Sequence, residues 1–166
     1  LPVIKIAQLR KGDTAGADLA SRAIKPEYVV QNGDVLFSWS GSLEVEIWCG
    51  GEGALNQHLF KVTSSMYPKW FYYLWTRHHL DNFRQIAASK ATTMGHIQRS
   101  HLSAANVIVG SDAVLGIADG ILSPLIERIV SNALQARTLS TVRDTLLPRL
   151  ISGQLHVEEV PEVEHA

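Results

Sequence analysis

Apolar residues recur in steps of three and four from Pro124 to Ile151: Leu125/Ile126, Ile129/Val130, Ala133/Leu134, Ala136, Leu139, Val142, Leu146/Leu147 and Leu150/Ile151. That spacing draws a single stripe along an α-helix. At the helical rise the segment is about 40 Å long, more than a small domain is wide. The stripe has two ways to leave water: folding back on its own domain, or projecting and pairing with a second helix. The length favours the second. Gly153 predicts the C-terminal stop. Upstream, Ser111 or Asp112 predicts the cap of a shorter helix through Ala118, which Gly120 and Pro124 then break or kink.

The first hundred residues alternate at a different period. Val3 to Leu9 reads as a short strand that meets a basic turn, Arg10-Lys11-Gly12-Asp13, and residues 13–26 read as a loop with one helical turn at most. Gln31-Asn32-Gly33-Asp34 carries an Asn-Gly turn signal. It introduces two paired strands, Val35–Trp39 and Leu43–Trp48, the second with one wet face. Gly50–Gly53 reads as a flexible loop and His58–Thr63 as a third strand. A helix follows from Pro68 to Ala88, with Pro68 suited to its first turn. Its broad apolar face holds Trp70, Phe71, Leu74, Trp75, His78, Phe83, Ile86 and Ala87, a composition that fits a core element better than a base-stacking platform. Residues 89–96 form a small, polar, basic loop, and Asn106–Gly110 reads as one more strand.

Composition keeps the chain among ordinary globular proteins, with 46% hydrophobic and 19% charged residues. No apolar run approaches the roughly 18 residues a membrane span needs, so a cytoplasmic protein without membrane contact is expected. A single cysteine, Cys49, cannot form an internal disulfide or a Cys-rich zinc site. The first residue is Leu1 rather than Met, which suggests a processed or excised piece. Charge changes the picture only when divided. Residues 1–110 hold 11 Lys+Arg against 8 Asp+Glu, and residues 111–166 hold 4 against 8, so +3 faces −4. The N-terminal part can face a polyanion while the acidic tail after Val157 avoids it.

The chemistry of the usual enzyme classes is missing. No phosphate-cradling G-x-x-x-x-G-K-[ST] is present, and Gly50-Gly51-Glu52-Gly53 lacks dinucleotide spacing. Ser40 sits outside any nucleophile-elbow pattern. Asp34, Glu44 and Glu46 have a loose likeness to a metal-dependent nuclease, but no lysine follows in the same strand, and alternating carboxylates usually mark a solvated face. His78 and His79 are adjacent on a helix and diverge, so they do not chelate one metal together. Neither a cofactor nor a metal is expected, and the chain reads as non-catalytic.

Three stretches together carry a family likeness: GDVLFSWSGSLEVEIWCGGEGALNQHLFKV (33–62), SKATTMGHIQRSHLSAANVIV (89–109) and LSTVRDTLLPRLISGQL (139–155). The chain resembles the specificity subunit of Type I restriction–modification systems, its C-terminal half in particular. The R-D-T-L-L-P-R-L-I-S-G ending is the most distinctive part. The resemblance implies an α+β fold, a mixed globular target recognition domain followed by a long helix that pairs as an antiparallel coiled coil. The implied divisions are a DNA-binding domain over 1–110, a spacer and dimerisation helix over 111–155, and an acidic, disordered tail over 156–166. It also implies a subunit that reads one half of a bipartite site in double-stranded DNA, its helices acting as a ruler. The implied partners are the methyltransferase subunit, which uses S-adenosylmethionine, and the restriction subunit. Such subunits carry two domains and two helices. With one of each, this chain is expected to form a homodimer through the long helix or to pair with a missing N-terminal half. The alternative is a protein–protein scaffold without useful DNA reading of its own.

Candidate contacts follow from residue type and loop placement. Ser38, Trp39, Ser40 and Ser42 lie at a strand end where glycine allows close backbone approach. Lys90, Thr92, Thr93 and His96 offer a cation, two hydroxyls and an imidazole on one loop. Arg10, Lys11 and Arg99 are candidate phosphate clamps. Asn56-Gln57-His58 reads better as a turn-fixing network. Helix pairing falls to Ile126, Ile129, Ala133, Leu139, Val142, Leu146 and Leu150.

Overall fold

The computed structural model describes residues 1–89 and 95–156. The chain divides into two compact units, residues 1–130 and 131–166. Within the first, two small sheets share the work of burying apolar surface. Strands β3 (Val35–Ser38), β4 (Val45–Ile47) and β6 (Leu59–Val62) form one antiparallel sheet in the order β4-β3-β6, with Val35 opposite both Ile47 and Val62. Strands β1 (Val3–Ile4), β2 (Val29–Val30) and β5 (Gly53–Leu55) form the other, in the order β1-β5-β2, with β1 parallel and β2 antiparallel to β5.

β3 is central in a literal sense, since all four of its residues are buried. Successive side chains of a strand point to opposite faces. Val35 and Phe37 therefore enter one core, while Leu36 enters the other. The first core is closed by helix α2 (Lys69–Ser89), through Trp70, Phe71, Tyr73, Leu80, Phe83 and Ala87. The second packs Ile4, Leu9, Val30 and Trp48 around Leu36 and Leu59. Phe37 meets Phe83 with ring centroids 6.1 Å apart, and the Trp48 indole donates to the Gly51 carbonyl at 2.6 Å. Each large apolar side chain so buried contributes on the order of 1.5–3 kcal/mol.

The expected pairing of Val35–Trp39 with Leu43–Trp48 is seen as β3 with β4, and the third expected strand is β6, which pairs with β3 on its other side. The Asn-Gly turn also holds: Gly33 adopts φ +89 and donates to the Trp48 carbonyl at 2.7 Å. Other expectations change. Val3–Leu9 is a strand for two residues only and then turns into helix α1 (Ile6–Lys11). Gln8 Oε1 accepts the Lys5 N–H at its start, and Leu9 is carried into the second core. Gly53 belongs to strand β5 rather than to a flexible loop. On α2 the buried face is rotated from the expected one. Tyr73 and Leu80 go inside, and Leu74 is left 41% exposed.

Asn106–Gly110 is not a strand. It has no ladder partner among the described residues, and Ile108 is 81% exposed. The short helix α3 (Arg99–Ser103) precedes it. After it, α4 (Asp112–Ile151) runs unbroken for 40 residues, so the expected interruption at Gly120 and Pro124 does not occur. Proline inside a helix costs about 3 kcal/mol through its missing N–H and a clash with the preceding turn. Contacts on both sides of Pro124 hold the turn in place. Asp119 accepts from the Trp70 indole at 2.8 Å and from the Ser123 hydroxyl at 2.6 Å, and Leu122 and Ile126 pack on the first core. Gly153, at φ +71, donates to the Leu150 carbonyl and ends the helix as expected. Among the described residues no helix is long and apolar enough to cross a membrane.

Candidate nucleic-acid interface

The loop after β3 and the segment after α2 lie far apart in sequence, yet the backbone joins them. Gly41 N–H donates to the Gly95 carbonyl at 2.9 Å, Ile97 N–H donates to the Trp39 carbonyl at 3.0 Å, and Ser40 bridges His96. Glycine is needed at both ends of this clip. Gly41 has φ +65, which disfavours any side chain. A Cβ on Gly95 would come within 3.0 Å of the Ala87 carbonyl oxygen. Ile97, buried in the first core, anchors the strand-like return.

Beneath the clip a polar network fixes the loop. Ser38 is fully buried, and its hydroxyl donates to the Ser42 carbonyl at 2.6 Å while accepting the Glu44 N–H at 2.7 Å. Ser40, 5% exposed, has its hydroxyl 2.9 Å from His58 Nδ1. These two serines hold the loop's shape from inside, so the expectation that they face a ligand is corrected. The other ring nitrogen of His58 lies 3.4 Å from the Gln57 amide. Asn56 Oδ1 accepts the His58 N–H at 3.1 Å, and the Trp39 indole donates to the Gln57 carbonyl at 3.1 Å. Asn56-Gln57-His58 is thus the turn-fixing network anticipated for it. Trp39 also packs on Phe60 at 6.1 Å and on His58 at 5.6 Å, and remains half-buried.

What faces outward is smaller than the sequence suggested. Ser42 and His96 are exposed on the two joined segments. α1 lies alongside, since a Cβ on Gly41 would sit 3.7 Å from Ile6. Arg10 on that helix is 4.0 Å from Glu44, which also pairs with Arg84 at 3.1 Å. Lys11 pairs with Asp13 at 3.3 Å. A cleft of about 460 Å³ opens beside Ser42, with Glu44, Arg84 and Gly95 among its walls. Arg99 is exposed at the rim of a separate aromatic cavity. Lys90, Thr92 and Thr93 lie outside the described residues. Of the carboxylates weighed for metal chemistry, Asp34 pairs with Lys61 at 2.8 Å and Glu44 with the arginines. Burial pushes the Glu46 carboxyl above its usual range, with Arg77 opposing that rise.

The residues assigned to helix pairing divide sharply. Ile126 is buried in the first core, so it is removed from any free pairing face. Ile129, Leu139, Val142 and Leu146 are exposed, and Ala133 and Leu150 are half-buried. An exposed stripe of this kind is what a second helix could cover.

No family model matches the chain, and no solved structure matches it significantly. Among curated proteins it is similar to the Type I restriction enzyme MjaIX specificity subunit of Methanocaldococcus jannaschii, with 29% identity over 103 residues, 62% of this chain. The matched region is 24% of that relative, so the chain spans about a quarter of its length. The resemblance read from the sequence is borne out: the chain is similar to a Type I restriction specificity subunit.

Proposed function

We propose that the chain is a non-catalytic DNA-recognition module that reads one half of a bipartite site for a Type I restriction–modification complex. The observation that carries this reading is the clip between Gly41 and Gly95, which places two polar loops on one surface in a chain similar to a specificity subunit. Ser42 and His96 are the described side chains that would meet the duplex, with Arg10 turning from Glu44 toward a phosphate. Backbone contacts of that type set register, and base-edge contacts set sequence. Lys90, Thr92 and Thr93, outside the described residues, belong to the proposal by sequence. The exposed Leu139–Ile151 stripe would pair with a second helix, from an identical chain or from another half of the same subunit, and the pair would dock the modification subunit.

Selection from a randomised duplex library, with the modification subunit present, tests this reading. A two-part motif with a fixed gap is expected. The triple substitution of Lys90, Thr92 and Thr93 to alanine should remove the sequence preference this chain contributes and spare helix pairing. Because phosphate contacts release counterions, binding should weaken steeply with salt. If the chain assembles with its partner but enriches no motif, it is a scaffold and not a reader.

A further inference from the structure

A cavity of about 620 Å³ opens between β6, α2 and the segment 99–107, all within the first unit. Its size falls among ligand pockets, roughly 300–1,000 Å³. Aromatic rings make much of its wall. Tyr67 stacks on Phe71 with centroids 4.5 Å apart and planes 16° from parallel. Trp75 stacks on His79 at 5.8 Å and 22°. Phe60 forms the side nearest Trp39.

Polar ties fix this row of rings and the segment opposite it. The Ser64 hydroxyl accepts the N–H groups of Met66 and Tyr67 at 3.1 and 3.0 Å, which sets the entry into α2 and with it the Tyr67 ring. At the far end His79 Nε2 meets the Asn106 carbonyl at 2.9 Å, fastening the segment 99–107 to α2. A carbonyl only accepts, so the imidazole donates there.

The charge of the cavity has one sign. Among the described residues, no acidic one lines it. Lys61 is committed to Asp34 at 2.8 Å and to the Val29 carbonyl at 3.0 Å. The Arg99 guanidinium, also on the lining, has no ion pair or side-chain hydrogen bond among the described residues. Flat rings recognise a flat ring, and a guanidinium recognises an anion by paired N–H donors.

We infer that this cavity binds a planar aromatic ligand carrying one anionic group, with its ring against the row of Tyr67, Phe71, Trp75 and His79 and the anion on Arg99. The volume accommodates a nucleoside monophosphate as well as a smaller aromatic carboxylate. The inference goes beyond DNA reading and does not depend on it.

Calorimetric titration of the full chain with adenosine monophosphate, indole-3-carboxylate, adenosine and inorganic phosphate tests it. At least one of the two anionic aromatics should bind saturably, and whichever binds identifies the source of the anion. Adenosine should bind about tenfold more weakly than its monophosphate where the monophosphate binds, a difference of about 1.4 kcal/mol. Phosphate alone should not register. Arg99→Ala should bring the anionic ligand down to the level of its neutral counterpart. Thr76→Trp, which fills the cavity from α2, should abolish binding with the circular dichroism unchanged; if that variant does not fold, Ala105→Phe fills it from the opposite wall. Absence of saturable binding by both anionic aromatics overturns the inference, and so does binding that survives a folded cavity-filling variant.

Discussion

The two ends of α4 carry the same apolar rhythm and meet different fates. Near its start, Leu115, Ala118, Leu122 and Ile126 follow helical spacing and pack on the first core. Toward its end, Leu139, Val142, Leu146 and Ile151 follow it too and face water, Ile151 at 79% exposure. Periodicity thus announces that a face is to be covered and says nothing about what covers it. The early part is satisfied by α2 of its own chain, helped by the Trp70–Asp119 hydrogen bond. The late part has no such cover within its unit.

Charge placed at the two ends should therefore act differently. Ile126→Asp puts an unpaired carboxylate into the first core and should cost more than about 3 kcal/mol, lowering the urea midpoint or preventing folding altogether. Leu139→Glu together with Leu146→Glu should leave folding stability within about 0.5 kcal/mol, as surface substitutions do. The same pair should halve the mass by light scattering if two copies associate through the stripe. A wild-type chain that is already monomeric at high concentration would remove self-pairing as the explanation of the stripe. A double variant that unfolds would show the late part to be covered after all.

The smallest effect sharpens the early end alone. Hydrogen bonds from Ser123 and then from Trp70 hold the Asp119 carboxyl below its ordinary value of 3.8. A carboxyl lowered on folding contributes stability that is present above about pH 4 and is lost as pH falls through its folded value. Asp119→Asn should therefore be less stable than wild type near neutral pH, with the gap closing as the solution becomes more acidic. A gap that stays constant across thermal melts from neutral to strongly acidic pH would show that Asp119 is not the titrating group.

Much of the local structure was legible because local rules decide it. The Asn-Gly turn, the pairing of β3 with β4 and the glycine stop at 153 each depend on a few adjacent residues. The misreadings share a different cause. Asn106–Gly110 has the β-branched composition of a strand, but a strand exists only where another accepts its hydrogen bonds, and none does here. Pro124 should break a helix, yet contacts contributed by α2 outweigh it. Ile6 and Leu9 fit a strand's composition, but burial of Leu9 between two sheets favours the helical turn. The candidate site was half legible for the same reason. Residue chemistry pointed to both loops, whereas their junction at Gly41 and Gly95 crosses more than fifty residues. Ser38 and Ser40 looked like contacts because a hydroxyl near a glycine is informative about polarity and silent about direction.

The Ser38 hydroxyl, with both its bonds spent inside the loop, has a consequence for how such a surface can diversify. A loop fastened at its base by a buried group does not rely on its tip for shape. Ser42 and His96, both exposed, can then be exchanged without reopening either core. On the proposed function, folding and recognition become separately adjustable, and a new preference needs only a few exposed substitutions with little compensating change within.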